Sequence, residues 1–545
     1  MRLTSPGQAV PTAVAGARPL AGPGRPAWVS LLAAMIGGLS QAAAFAPVGL
    51  WPLAVVGPAL LVVALWQVRL RTAIASGVVF GLAFFFPLLS WLVNVAWYVW
   101  VALALAETVV FAVETIGQWL MLRFRAWPLA VAAWWVTAEA IRGRWPWGFP
   151  WGRLVMSQAT SPAGRWVAVI GPPLVTFLLG LVGACLAWLV IAVAAGSADA
   201  NRRGRVRNRI AAGAALAVSA GLALSGGFLP LGTSTAATPT ARVAAIQGNV
   251  PHARNLPSLL RATTVTQNHA AATERLAAQV RNHVKPAPDL IIWPENSTDQ
   301  DPRLDPYIYS VINTAVADIG RPVLVGAVLQ NPVRNAGLLW LPGKGPVAAY
   351  IKRKLVPFGE VIPFRGLLSK ITSLTSLQPV NFTPGKRPVV FHVGRIRVGD
   401  VICYEVGFDG LVSSEVTSGA NLLAMQTNDA DFELDGQTGE TSQQLDMARI
   451  RAMEYDRAVV VASTTGVSAI IGPDGSLLAS TRTWRAAEIA AAVPLLTTTT
   501  LAERLGGWPE GLITAATFLA VAWAAGLAVR QRRRERHPQS TAPAQ

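Results

Sequence analysis

The chain has 545 residues, too many for one compact domain, and carries a formal charge of +17. Hydrophobic residues make up 52% and charged residues only 14%, which marks a membrane protein rather than a soluble one. The charge does not point to nucleic acid, because no zinc-finger, RNA-recognition or basic-helix pattern accompanies it and the arginines cluster beside apolar segments.

Residues 1–26 are polar and rich in Pro and Gly, and read as a cytoplasmic tail rather than a cleaved signal peptide. A membrane domain is expected over 27–230, with seven apolar segments at roughly 28–47, 50–67, 72–92, 97–121, 127–141, 166–196 and 209–229. Each is near the ~20 residues that cross a bilayer, although the fifth is short and the first two are joined by a tight turn. Arg69 and Arg71 follow the second segment, and Arg123 and Arg125 follow the fourth. Arg202, Arg203, Arg205, Arg207 and Arg209 lie between the sixth and seventh. Arginine-rich loops stay in the cytoplasm, which puts the N-terminus inside and the chain outside after the seventh span.

Residues 231–240 form a polar linker, and from 241 to 500 short apolar runs alternate with helical stretches, an α/β pattern. Strands are expected at 242–247, 289–293, 322–329, 336–341, 346–351, 388–393, 396–402, 421–427, 458–464 and 467–472. Helices are expected at 257–282, 304–318, 407–417 and 440–456. A last span over 508–530 precedes Arg532, Arg533, Arg534 and Arg536, and returns a 531–545 tail to the cytoplasm, for about eight spans in all.

One outer loop, 139–158, concentrates Trp147, Phe149 and Trp151 with several arginines. It reads as an interfacial aromatic belt, as a lipid-facing headgroup site, or as a support for the outer domain. Glu107, Glu114 and Glu139 are ionisable groups in or near spans and so are functional candidates. Glu139 and Arg142 are spaced to pair on one helix face.

The chemistry centres on three strand ends. The run Val401-Ile-Cys-Tyr-Glu405 ends an apolar strand in one of only 2 cysteines, while Cys185 lies in an apolar helix; both are expected as free thiols. Glu295 follows Leu-Ile-Ile-Trp-Pro, and Lys352 follows another strand in Tyr350-Ile-Lys-Arg-Lys-Leu-Val-Pro-Phe-Gly-Glu360. Taken singly, Glu295 reads as a solvated residue and Lys352 as part of a basic strand edge. Taken together, a carboxylate can accept the thiol proton, and an ammonium can stabilise first the thiolate and then a tetrahedral oxyanion. The N–H of Tyr404 is a candidate second oxyanion donor. The five histidines sit in no comparable motif, which disfavours a Cys-His protease, and neither a metal site nor a cofactor is expected.

These three motifs, with Gln247-Gly-Asn at the first strand, resemble the nitrilase (carbon–nitrogen hydrolase) superfamily. With spans on both sides and the Gly-Phe149-Pro-Trp loop, the chain closely resembles the bacterial apolipoprotein N-acyltransferases over residues 25–530. The resemblance implies an α-β-β-α sandwich outside the cytoplasmic (inner) membrane, with Glu295 as base, Lys352 as oxyanion and thiolate stabiliser, and Cys403 as nucleophile. It implies supporting roles for Glu360 and Glu405, and pocket roles for Tyr404 and Phe358. The implied reaction is ping-pong: Cys403 takes an acyl chain from a phospholipid as a thioester, and the α-amine of a lipoprotein's diacylglyceryl-cysteine then attacks it. Two positions depart from the family pattern: Asp431 stands where many relatives carry Trp, and Gln444 where His is common. A membrane-tethered amidase is the alternative reading, and a catalytically inactive scaffold is a third.

Overall fold

The computed structural model describes residues 26–145, 148–194, 202–235, 237–251, 258–370, 379–432, 434 and 436–536. The tail through residue 25, residues 537–545 and Trp147 lie outside the described residues. The N-terminal part is helical: α1 (Ala27–Ala43), α2 (Leu53–Leu65), α3 (Leu70–Leu88), α4 (Trp97–Met121), α5 (Trp127–Arg142), α6 (Val167–Ala194) and α7 (Arg202–Ser225). Four segments are long and apolar enough to cross a membrane, at Leu70–Leu88, Trp97–Met121, Pro162–Ala194 and Arg203–Phe228. The first two expected spans are shorter helices of 17 and 13 residues. Pro47 and Pro52 bracket the turn between them, and Gln67 ends α2 in the left-handed region at φ 55°.

α4 shows why this is a bilayer architecture. Leu105, Val109 and Val113, four residues apart, are exposed, while Glu107, Thr108, Glu114, Thr115 and Gln118 are buried. Apolar outside and polar inside inverts the soluble pattern and suits a lipid solvent. The helices approach closely through glycine. A Cβ at Gly117 would lie 1.9 Å from the Trp134 ring, and one at Gly38 would lie 2.4 Å from the Phe80 carbonyl oxygen.

The C-terminal part is a two-sheet sandwich. The first sheet has the order β12-β1-β2-β3-β4-β5, from β1 (Thr240–Gln247), β2 (Leu290–Ile292), β3 (Val323–Leu329), β4 (Arg334–Leu341), β5 (Gly345–Ile351) and β12 (Ala487–Pro494). The second has the order β11-β10-β9-β8-β7-β6, from β6 (Val390–Val393), β7 (Ile396–Ile402), β8 (Leu422–Thr427), β9 (Ala458–Ser463), β10 (Ala469–Ile471) and β11 (Leu477–Ser480). β1, β2 and β3 run parallel in one sheet, and β7, β8 and β9 in the other. These central strands are largely buried on both faces, and β3 reads as the continuous apolar run Val-Leu-Val-Gly-Ala-Val-Leu.

α8 (Ser258–Arg281) and α9 (Pro306–Ile319) cover the first sheet, and Leu276, Ile308, Ile312 and Val316 pack on Ile291, Trp293 and Val325. α9 has complete end signals. The Asp305 side chain accepts from the N–H groups of Tyr307 and Ile308, Pro306 opens the helix, and Gly320 closes it at φ 64°. A short α10 (Arg365–Leu368) follows β5, and α11 (Asp409–Thr417) and α12 (Gly439–Tyr455) cover the second sheet. The result is the expected α-β-β-α sandwich.

The sheets meet where β4 and β7 cross. A Cβ at Gly337 would lie 2.0 Å from the Asp400 carboxyl and 2.7 Å from the Gln426 amide oxygen. After α13 (Leu501–Leu505), α14 (Trp508–Arg536) returns the chain to the helical part, where Thr137 of α5 donates to Thr517 at 3.0 Å.

Candidate active site

The three strand ends converge. Glu295 lies three residues past β2, Lys352 directly follows β5, and Cys403 directly follows β7. The site is therefore built from both sheets, and its thiol sits at the carboxyl end of a parallel strand, where open α/β sheets leave a crevice. Neither lone reading holds: Glu295 is buried rather than solvated, and Lys352, although it follows the edge strand β5, is itself buried.

Lys352 donates from Nζ to Glu295 Oε1 at 2.8 Å and to Glu360 Oε1 at 3.1 Å. Asn335 Nδ2 donates to the same two oxygens, at 2.6 and 2.8 Å. Glu295 Oε2 accepts from the Asn428 N–H at 3.1 Å. Among the described residues, three of the four acceptor directions of Glu295 are thus filled, leaving one on Oε2. Burial pushes the Glu295 carboxyl above its usual range, with help from the Glu360 charge and against the pull of Lys352. Burial works against the Lys352 ammonium, but Glu295 and Glu360 outweigh it and hold its pKa well above the usual value.

Cys403 adopts φ 53°, a left-handed conformation that a non-glycine residue takes at some cost, and such strain concentrates at functional turns. It opens a tight turn, Cys403–Gly407, that projects the thiol away from the strand. Burial raises the thiol's pKa well above its usual value, the Glu295 charge adds to this, and Lys352 opposes it. Cys403 is therefore a resting thiol that needs a base, and it feels both charged partners. Gln444 Nε2 lies 3.6 Å from its sulfur, and Thr427 Oγ1 donates to Gln444 Oε1 at 3.0 Å.

Glu405 has a structural place. Its Oε1 accepts from the N–H groups of Arg353 at 2.6 Å and Lys354 at 3.0 Å. Its Oε2 accepts from the Ile402 N–H at 2.9 Å and the Tyr350 hydroxyl at 2.8 Å. One carboxylate thereby ties the segment after Lys352 to the turn that carries Cys403. Glu360 accepts the Val356 N–H at 2.8 Å through its second oxygen. Phe358 sits half exposed at φ 66°, its N–H donating to the Val361 carbonyl at 2.7 Å.

The aromatic loop joins the site from the helical side. Phe149, Trp151 and Tyr404 stack, with ring centroids 5.6 Å apart for Phe149–Trp151 and 5.7 Å for Trp151–Tyr404. The Tyr404 hydroxyl donates to the Gly148 carbonyl at 2.5 Å, and Trp151 Nε1 donates to Gln443 Oε1 at 2.9 Å. Trp151 does not face lipid as expected: its indole is buried by these partners, and Phe149 is half buried against it.

The expected Glu139–Arg142 pair is also not made. Glu139 takes the Leu154 N–H at 2.7 Å and the Thr176 hydroxyl at 2.9 Å, with Arg153 3.8 Å away. Arg142 instead lies 3.9 Å from Glu107 and over the Phe85 ring. Arg153 and Arg451 both grip Asp409, each at 2.6 Å, and join the outer loop to α11 and α12.

Sequence reasoning missed Asn335, Asn428 and Gln443. Asn335 had only a weak signal: it stands beside Arg334 at the start of β4, just ahead of the apolar run Ala-Gly-Leu-Leu-Trp-Leu. Asn428 acts through its backbone N–H and Gln443 through bonds to three residues far away in the chain, which no local pattern marks.

A sheet sandwich with a buried Glu-Lys-Cys cluster, set against apolar spans, defines a membrane-anchored enzyme of the carbon–nitrogen hydrolase type. Residues 242–503 match the family model described as carbon-nitrogen hydrolase, and residues 37–185 match that for the apolipoprotein N-acyltransferase N-terminal domain. An apolipoprotein N-acyltransferase of Mycolicibacterium smegmatis is 34% identical over 500 residues, covering 87% of this chain and 82% of that one. One from Pseudomonas syringae pv. tomato is 27% identical, covering 83% and 88% respectively. The chain belongs to the apolipoprotein N-acyltransferase family. Among solved structures, an amidase from Nesterenkonia sp. covers 47% of this chain and 91% of its own at 18% identity, with a TM-score of 0.36.

Proposed function

We propose that this enzyme moves an acyl chain from a membrane phospholipid to the N-terminal α-amine of diacylglyceryl-cysteine on apolipoproteins, completing their maturation. The observation that carries this reading is the buried Glu295–Lys352–Cys403 cluster, whose neighbour Tyr404 is stacked and hydrogen-bonded onto the membrane domain's Gly148–Trp151 loop.

In the first half-reaction Glu295 Oε2 takes the Cys403 proton as sulfur attacks the phospholipid ester carbonyl. The thiolate and the oxyanion form beside Lys352, which neutralises both. Collapse expels the lysophospholipid alkoxide, which recovers the proton from Glu295, and leaves a thioester. In the second half-reaction the acceptor amine attacks that thioester, the C–S bond breaks, and the proton returns to sulfur through Glu295. Asn335 and Glu360 act as positioning residues by fixing Glu295 and Lys352, and Glu405 by fixing the cysteine turn.

The same reading divides the chain into a 27–230 membrane domain, a 231–240 linker, a 241–500 catalytic domain and a 508–530 closing span. About eight spans with both termini cytoplasmic would hang the catalytic domain outside the inner membrane, in keeping with the arginines at 69, 71, 123, 125 and 202–209. Tethering at both ends keeps Cys403 near donor and acceptor lipids and raises their effective concentration. The test is intact-mass analysis of the full chain after mixing with phosphatidylethanolamine micelles. An acyl adduct on wild type and its absence on Cys403→Ala are expected. Turnover of short amides with no phospholipid-derived adduct would establish the amidase instead.

A further inference from the structure

A second carboxylate stands beside the thiol. Glu440 lies in the first turn of α12, is buried, and accepts a hydrogen bond from Gln444 Nε2, the same group that contacts Cys403 Sγ at 3.6 Å. Glu295 belongs to the first sheet's side of the site, whereas Glu440 stands on the helix that covers the second and connects to Cys403 through the Gln444 amide. α12 begins against the membrane domain, since a Cβ at Gly439 would come 3.3 Å from the Trp91 side chain. Glu440 therefore lies at the junction of the two domains, one amide group removed from the thiol.

For the first half-reaction this placement is unfavourable. A negative charge against a thiol opposes thiolate formation, and the Glu440 charge does act on Cys403 in that sense. An acidic first-turn residue helps a helix by only about 0.3–1 kcal/mol, and it can do so from an exposed position. The carboxylate fits the second half-reaction instead. An α-amine with a pKa of about 8 arrives mostly as an ammonium and must lose a proton before it can attack. We propose that Glu440, held by Gln444, is the acceptor-binding residue that takes the α-ammonium of the incoming lipoprotein against the Cys403 thioester and removes its first proton.

The step balances. The ammonium gives one proton to Glu440, its nitrogen bonds the acyl carbon, and the C–S bond breaks. The second nitrogen proton passes through Glu295 to sulfur, and Glu440 releases its own proton to solvent. The inference rests on the acyltransferase reading and assigns a residue to its second substrate.

The test separates the two half-reactions in full-length wild type and Glu440→Gln. Thioester formation from phosphatidylethanolamine micelles is followed by intact mass, and its decay is then followed on chasing with a synthetic S-diacylglyceryl-cysteinyl peptide. The variant is expected to form thioester at least as fast as wild type, because a charge opposing the thiolate is gone. Its chase is expected to slow tenfold or more, the range of a lost proton acceptor. The acceptor KM should rise, and Glu440→Asp should restore part of the chase rate. An equal fall in both halves would mean a structural role, and an unchanged chase would mean no role; either overturns the inference. A wild-type chain that forms no phospholipid-derived thioester overturns the acyltransferase reading and this inference with it, whereas a normal thioester with an unchanged variant chase overturns the Glu440 role alone.

Discussion

Replacing Glu405 by Gln should damage the site without touching a reacting atom. The carboxylate accepts four hydrogen bonds, two from the backbone after Lys352, one from Ile402 and one from Tyr350. A Gln can keep its oxygen on the N–H groups of Arg353 and Lys354 and turn its NH2 toward the Tyr350 oxygen. The Ile402 N–H is then left without an acceptor in a fully buried place. One orphaned buried donor costs about 1–3 kcal/mol, and weakening the remaining charge-assisted bonds adds about 1 kcal/mol, for a total near 2–4 kcal/mol. For a domain of this size that corresponds to a fall in Tm of roughly 5–15 °C. Ile402 precedes Cys403, the proposed nucleophile, so thioester formation should slow in the same variant. Thermal unfolding of the purified full chain and single-turnover intact mass measure the two effects together. A variant that melts with wild type yet makes no thioester would refute the positioning role and put the carboxylate in the chemistry. A variant unchanged in both measurements would refute the geometric argument altogether.

Asp409→Asn leaves buried Arg153 and Arg451 without their shared counter-ion and should cost about 3–5 kcal/mol, read as a lower Tm. Burial opposes the Asp409 charge, but the two arginines outweigh it and hold its carboxyl below the usual range. The stabilisation is therefore complete above the unfolded value of about 3.9 and is lost as pH falls through the depressed folded value, so the Tm gap between wild type and variant should close only below about pH 4. Because burial raises the Glu295 carboxyl, the proposed base is lost as pH falls through a value above 4.5, and the acid limb of the thioester-formation profile should lie above that point. Gly337→Ala would push a methyl to 2.0 Å from the Asp400 carboxyl between the sheets, and should destabilise by about 1–3 kcal/mol in the same melting assay.

Much of this was legible in the sequence because the central strands are buried on both faces. β2 and β3 are unbroken apolar runs, and Glu295 and Cys403 stand just past the ends of β2 and β7, although Arg397 and Asp400 interrupt β7; Lys352 follows the edge strand β5. α8, α9, α11 and α12 likewise fall within two residues of their expected bounds. β11 and β12 were not legible. β12 reads Ala-Glu-Ile-Ala-Ala-Ala-Val-Pro, a composition weak in strand formers, and it is a strand because it pairs antiparallel with β1 from Thr240↔Pro494 to Gln247↔Ala487. The Glu139–Arg142 spacing was correct for a helix, but tertiary partners took both side chains: the Leu154 N–H bound one, and Glu107 with Phe85 took the other. Local spacing cannot weigh such competitors.

The same competition explains why the site belongs to both domains. Cys403 in its left-handed turn needs its surroundings to hold it there, and part of that hold comes from the helical domain. Tyr404, next to Cys403, is bonded to Gly148 and stacked on Trp151. Gln443, next to Gln444, binds Trp151 and the carbonyls of Ala46 and Leu88, which fixes α12 against α3 and the turn after α1. Arg153 and Arg451 close the same junction through Asp409. The bonds of Tyr404 to Gly148 and of Gln443 to Trp151 and Leu88 are buried, so separating the domains would orphan polar groups next to the thiol and its amide partner. The membrane helices therefore do more than anchor a self-sufficient hydrolase fold: they complete the geometry of its cysteine.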